Sequence, residues 1–325
     1  MKVLLTGASG FVGSHVLDSL RTRGIPAAIL LRPTSDRQFI QPHLATVELH
    51  NGSIGDVESL KSAMPGITHV IHCAGLTRAR TSSEFSEVNQ IGTRNVVTAI
   101  NAQAGVKRLV HISSLAAIGP AGRDKPAREE DMPHPVSHYG KSKLAGETEV
   151  RQHCRTEFVL LRPPAVYGPR DNAFLSLFQA VKRHLLPRPS ATQALSLVFV
   201  KDLADAIVAC LDHPAAGGKA YFVSGREVAT ARDLADEIAA QFNHWTVPVP
   251  LPPVLLWPVC LFRELWSHLT RRASLLNLQK FAELRAPGWV CDPSRLEREL
   301  GFTCNTKLKE GVARTLLWYR EQRWL

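Results

Sequence analysis

The feature that most constrains this chain is a cluster of glycines in its first turn. Thr6-Gly7-Ala8-Ser9-Gly10-Phe11-Val12-Gly13 follows a short apolar run, residues 3–6. It opens a stretch, residues 10–23, in which Val12, Val16, Leu17 and Leu20 recur at helical spacing. A strand that turns into a helix this abruptly needs backbone without side chains at the bend. The free N–H groups at the start of the helix then suit an anion such as a pyrophosphate. Gly7, Ser9, Gly10, Phe11, Val12 and Gly13 are therefore candidate dinucleotide-binding residues, and Gly13 is read as letting the helix pack closely on the strand. A glycine triplet alone is weak; the strand before it and the amphipathic helix after it give it meaning.

The pattern that begins there continues. Apolar runs at 27–31, 46–49, 69–72, 108–112 and 158–161 alternate with helical stretches near 57–63, 84–104 and 137–153. Apolar strands with helices between them imply a parallel sheet covered on both faces, an α/β, Rossmann-type doubly wound fold. The second half mixes helices near 174–184, 202–213, 231–242 and 307–320 with short strands near 197–200 and 220–223. At roughly 150 residues per domain, 325 residues make two units. The expected division is a dinucleotide-binding domain over 1–165 and a smaller C-terminal substrate-binding annex over 166–325, partly interleaved with the main sheet.

Composition narrows the function classes. The six cysteines are scattered without a CxxC pair, which argues against a zinc ribbon, a redox dithiol or a disulfide framework and for a reducing, cytoplasmic setting. Lys plus Arg is 39 against 29 Asp plus Glu, a net +10, but the charges are interspersed with no basic run. That pattern fits a solvated surface or attraction of an anionic small molecule better than nucleic-acid binding. Residues 1–6 pass straight into a strand, with no secretory leader pattern. The apolar stretch 247–262 is broken by five prolines and is too short for a transmembrane span. Residues 254–262 are read as a lid or core segment, with attachment to a membrane surface the less favoured alternative.

Two further constellations carry chemistry. The second strand ends at Arg32, where an NAD site commonly places an acidic residue for the ribose hydroxyls. A guanidinium pairs well with a 2′-phosphate, so NADP is the expected cofactor and NAD the alternative, in which Asp36 folds back to the ribose. Tyr139-Gly140-Lys141-Ser142-Lys143 places Tyr139 and Lys143 on one helical face. A phenol of pKa about 10 needs help to exchange protons at neutral pH, and an adjacent ammonium is expected to lower that pKa. Ser114, just past the fifth strand, is positioned to bond the same substrate oxygen. Ser114, Tyr139 and Lys143 together suit proton exchange at a carbonyl while a nicotinamide carries hydride.

In these residues the chain resembles an extended short-chain dehydrogenase/reductase of the NAD-dependent epimerase/dehydratase superfamily. The resemblance runs through TGASGFVGSHV at the start, GSIGD at 52–56, HCAG at 72–75, VNQIGTRNVV at 88–97, HISSLAAIGP at 111–120, YGKSK at 139–143, LRPPAVYGPRD at 161–171 and VFVKDLADAI at 198–207. It implies that Ser114 orients the substrate oxygen, Tyr139 is the general acid/base and Lys143 also holds the nicotinamide ribose. It places Pro163 to Val166 against the nicotinamide, Cys73 and Ala74 beside the dinucleotide, and Ser53 and Ile54 next to adenine. Ser53 stands where the family usually has Asp. Leu115 and Ala116 follow Ser114 where dehydratases carry an acidic pair, which argues against elimination of water. Ile118 replaces a common Tyr and makes the loop more apolar.

The remaining candidates are read more plainly. His69 and His72 point to opposite faces of a strand and are not a metal pair; no metal site is expected. His134 and His138 are read as loop histidines, and Asn89 as structural or water-holding. Arg78 and Arg80 stand at the strand edge where an anionic substrate group could bind. Three functions stay open: reduction of a ketone on a small organic substrate, epimerisation of a nucleotide sugar with tightly held NAD, and non-catalytic dinucleotide sensing. The long helices at 84–104 and 137–153 are compatible with a homodimer.

Overall fold

The computed structural model describes residues 1–189, 193–251, 283 and 286–325. The segment 254–262 lies outside the described residues. Seven strands form one parallel sheet: β1 Val3–Thr6, β2 Ala27–Leu31, β3 Glu48–Asn51, β4 His69–His72, β5 Arg108–Ile112, β6 Glu157–Arg162 and, from far along the chain, β10 Lys219–Phe222. Their order across the sheet is β10-β6-β5-β4-β1-β2-β3. The direction of winding reverses between β1 and β4, which leaves a crevice at the carboxyl ends of those strands.

Alternation along each strand explains the layering. Leu4, Leu30, Val70, Leu109 and Leu160 face helices α2 Val57–Ser62, α4 Gly92–Asn101 and α5 His138–His153. Leu5, Ile29, Ile71, Val110 and Leu161 face α1 Phe11–Thr22 and α7 Val200–Ala209. Neighbours in sequence therefore enter opposite cores, and both faces stay dry, as a parallel sheet requires. Helix α7 and strand β10 come from the second half of the chain yet complete the main sheet.

The other second-half elements build a smaller layer. β7 Ala165–Tyr167 and β11 Val228–Thr230 flank β9 Ala194–Phe199, with β13 Gly288–Trp289 also paired to β9. β8 Leu185–Pro189 pairs in parallel with β12 Val247–Leu251 as a separate two-stranded ribbon. Around them α6 Leu175–Lys182, α8 Ala231–Phe242 and a C-terminal helix Leu308–Glu321 enclose Tyr167, Phe178, Leu197, Ile238 and Tyr319.

Two expectations from sequence shift. The strand expected at 46–49 is Glu48–Asn51, an edge strand paired only with β2, whose residues are exposed or half-buried. With no buried face, apolar content does not mark its register. The helix expected at 84–104 begins with α3 Ser82–Ser86, started by the Thr81 hydroxyl accepting the Glu84 N–H. It then passes through a π-turn, Glu87–Ile91, before α4.

Candidate active site

The candidate residues share one edge because the strands are parallel. Gly7 follows β1, Arg32 follows β2, Ser53 follows β3, Cys73 follows β4, Ser114 follows β5 and Pro163 follows β6, all at carboxyl ends. The glycine turn is tightly made. Gly7 has φ of 75°, and a Cβ there would lie 2.6 Å from the Ala74 nitrogen. A Cβ on Gly13 would lie 2.1 Å from the Gly7 carbonyl oxygen. A Cβ on Gly10 would meet only that oxygen, at 3.3 Å, so Gly10 borders open space. Gly10 caps α1 without a side-chain hydrogen bond, and no acidic residue lies in the first turn. The N–H groups at that end are thus available to an anion. The cradle fits a dinucleotide pyrophosphate on these grounds.

Around the turn, Cys73 N–H donates to the Thr6 carbonyl at 3.2 Å and Ala74 N–H to the Thr6 hydroxyl at 3.3 Å. These bonds press the Cys73–Ala74 loop against Gly7. Burial pushes the Cys73 thiol up to about 12, so it is neutral. Arg32 is exposed, with no partner for its guanidinium among the described residues. The Asp36 carboxylate accepts the Gln38 N–H at 2.9 Å. Ser53 Oγ accepts from Gly55 N–H at 3.0 Å, and the Ile54 carbonyl accepts from Asn95.

Tyr139 and Lys143 stand one turn apart on α5. Ser137 starts this helix by accepting the Gly140 N–H at 3.1 Å. Gly140 lets the helix descend onto the turn after Ser114: a Cβ there would lie 2.3 Å from the Ala116 carbonyl oxygen. This close approach brings Tyr139 beside Ser114, whose side chain favours the ionised phenol. Ser114 Oγ also accepts the Ala116 N–H at 3.1 Å, which fixes its rotamer. Pro163 joins the same corner, its carbonyl accepting the Leu115 N–H at 2.9 Å. Val166 lies half-buried on β7.

Lys143 is buried, and its Nζ donates to the Ile112 carbonyl at 2.5 Å. Burial lowers its pKa to about 8, with Glu147 pulling the other way. The expected lowering of the Tyr139 phenol by Lys143 is not what the geometry gives. Burial raises the Tyr139 pKa, the Ser114 hydrogen bond opposes this, and Glu283 adds to it. The reason is the direction of the amine: it turns to the end of β5, and Lys143 is not among the charges bearing on the phenol.

Sequence reasoning missed much of the support. Glu283 bears on Tyr139 from a distant part of the chain; its carbonyl accepts from the Gln193 side chain at 2.9 Å and the Trp289 indole at 3.1 Å. No motif marks it. Buried Asn89, in the π-turn, bonds both backbone groups of Leu76 and the Ser142 hydroxyl, tying the loop after β4 to α5. His72 bonds Thr6 at 2.8 Å and Thr93 at 3.0 Å, while His69 bonds Thr68. Burial lowers His72 to about 3, so it is neutral beneath Lys143. Arg80 is held by Glu84, Arg78 has Asp171 as its charged neighbour, and His134 shares hydrogen bonds with the Met132 and Pro120 carbonyls.

Comparison with known proteins agrees with this architecture. The family model described as NAD dependent epimerase/dehydratase family matches residues 3–224. The chain is 32% identical to a ceramide reductase of Caulobacter vibrioides, over 99% of this chain and 96% of the relative. It is 32% identical to a UDP-glucose 4-epimerase of Vibrio cholerae, over 96% and 94%. It is 30% identical to 4-hydroxy-2-methyl-3-oxo-4-farnesyl-3,4-dihydroquinoline-1-oxide ketoreductase of Stigmatella aurantiaca, over 96% and 95%. Among solved structures, a UDP-glucose 4-epimerase of Thermus thermophilus in complex with NAD superposes with a TM-score of 0.78 at 25% identity, over 98% of this chain and 99% of that one. A glycine cradle at the switch point, a seven-stranded parallel sheet and a family match over most of the chain converge: the chain belongs to the NAD-dependent epimerase/dehydratase family and is an enzyme of the extended short-chain dehydrogenase/reductase type.

Proposed function

We propose that the protein interconverts a ketone and a secondary alcohol, with a nicotinamide dinucleotide as hydride carrier. The observation that carries this reading is the placement of Tyr139 beside Ser114 at the end of β5, one helical turn from Lys143. The dinucleotide, held on Gly7, Ser9, Gly10, Phe11, Val12 and Gly13, supplies the hydride when bound. Ser114 holds the substrate oxygen. Tyr139 stays protonated through the neutral range because burial raises its pKa, and it gives its proton to that oxygen as the alcohol forms. Lys143, still largely an ammonium at pH 7, holds the ribose side of the cofactor. Ser53, Ile54, Cys73 and Ala74 would flank the dinucleotide, and Pro163 and Val166 would back the nicotinamide. Residues 1–165 carry this site and 166–325 the substrate side. Leu115 and Ala116 supply no acid or base for elimination of water, so the reading excludes a dehydratase.

The substrate in this reading carries a long apolar chain. Two of the relatives bear the names of such molecules, a ceramide and a farnesyl-substituted quinoline oxide. The buried Ile118 and Leu115 keep the corner behind Ser114 apolar. The UDP-glucose 4-epimerase relative supports a second reading, in which hydride returns to the same sugar. Absorbance of the reduced cofactor separates the two. We expect stoichiometric loss of NADPH with a long-chain ketone. Cofactor that stays bound, with no net consumption and inversion of a nucleotide sugar, would overturn the reductase reading.

NADPH is the preferred cofactor in this account. Arg32 is exposed at the end of β2 and Asp36 is occupied by Gln38, which leaves the guanidinium to meet a 2′-phosphate. Arg32→Glu should weaken NADPH binding about tenfold or more, since a charge-assisted hydrogen bond contributes about 1.5–3 kcal/mol. NADH affinity should hold. Equal affinity of the native protein for both cofactors would refute the preference.

A further inference from the structure

We propose that the β8–β12 ribbon is a docking surface for an anionic lipid bilayer, from which the enzyme takes its substrate. This rests on the long-chain substrate reading above. Leu185 and Val247 are register partners in the ribbon and are 46% and 49% exposed. Trp245, 69% exposed, stacks on His184 with ring centroids 4.1 Å apart. The Trp245 carbonyl is hydrogen-bonded to the His184 ring at 2.8 Å, and Val247 N–H donates to the His184 carbonyl at 2.7 Å. Three large, substantially exposed apolar side chains thus lie on the ribbon and the segment leading into it. Apolar groups scattered singly on a surface are ordinary; a contiguous exposed group marks an interaction site. Tryptophan, apolar in body and polar at its N–H, is favoured at the headgroup level of a bilayer.

Charge selects the occupant. Lys182 and Arg183, exposed just before β8, have no ion-pair partner among the described residues. On α8, which packs against β8, Asp236 is neutralised by Arg188 at 2.6 Å, Asp233 caps its own helix and Glu237 is bonded to Gln241. An apolar centre with an unpaired cationic rim fits anionic headgroups over hydrocarbon. A second copy of this chain, itself +10, would bring the same cations to the same face and be repelled. The sequence that follows β12, residues 252–262, contains no charged residue. A residue close to the ribbon in sequence also supports the site. Just beyond β8, Gln193 holds the backbone of Glu283, whose side chain bears on Tyr139.

Flotation of the whole protein with vesicles tests this. The native protein should float with equimolar phosphatidylglycerol and phosphatidylcholine, and at least tenfold less with phosphatidylcholine alone. Trp245→Ser/Val247→Ser should lose at least tenfold of the bound fraction, while its turnover of a short, water-soluble ketone and its melting temperature stay at native values. Lys182→Glu/Arg183→Glu should abolish the preference for anionic vesicles. A native protein that stays at the bottom of the gradient, or a Trp245→Ser/Val247→Ser variant that floats as well as the native one, overturns the proposal. Sedimentation that shows a native dimer and a monomeric variant, without flotation, would assign the face to self-association and overturn it as well. Flotation without ketone reduction would leave docking standing and remove the reductase reading; reduction without flotation would do the reverse.

Discussion

Lys143 shows how a functional group can oppose stability. Its ammonium is buried with pKa about 8 against an ordinary 10.5. Between those values the unfolded chain binds the proton more tightly than the folded one. The cost is therefore fully present below pH 8 and fades as the pH rises toward 10.5. Lys143→Met removes the buried charge but leaves the Ile112 carbonyl without its donor. The net expectation at pH 7 is about 1–2 kcal/mol of added stability, with turnover lost. Thermal unfolding at pH 7 and at pH 10 checks it: the gain should shrink at the higher pH, and a lower melting temperature at pH 7 would contradict the account. At this scale the sequence was informative where spacing is local. Tyr139 and Lys143 lie one helical turn apart, and Ser114 ends a strand. The direction of the Lys143 amine was not legible, because it depends on where the end of β5 lies beneath α5. Glu283 was not legible either, since only the fold brings it to Tyr139.

Elements meet through small residues, and Gly140 is the decisive one. It allows α5 to touch the backbone at Ala116, which sets the distance between Tyr139 and Ser114. Gly140→Ala must push the helix away from that carbonyl. Overpacking of this kind costs about 1–3 kcal/mol. We expect a lower denaturant midpoint and at least a tenfold fall in kcat/KM, with NADPH affinity retained because the glycine turn lies on another element. Unchanged kcat/KM in that variant would show that the approach of α5 is not critical. The inner strands β1, β2, β4 and β5 were legible because they are buried along their whole length and are built around apolar runs. The short β7, β8, β11, β12 and β13 were not: they carry two to five residues, prolines or mixed faces. Their pairing comes from contacts far apart in sequence.

At the scale of the whole molecule, the chain closes its dinucleotide sheet with its own second half. Helix α7 lies on α1, and β10 extends the sheet beside β6. The sheet edge that holds the glycine turn is thereby fixed to elements of the second half. His15, whose ring is hydrogen-bonded to the Pro169 carbonyl, and the Arg170–Asp18 pair at 2.8 Å join α1 to the same layer. This order places the buried Tyr139 phenol and the glycine turn at one crevice. The most direct test is Tyr139→Phe, assayed for NADPH binding by fluorescence and for ketone reduction by absorbance. The account predicts a dissociation constant within about twofold of native and turnover reduced by about 10²–10⁴-fold, the usual contribution of a positioned acid. Turnover within a few-fold of native would contradict it.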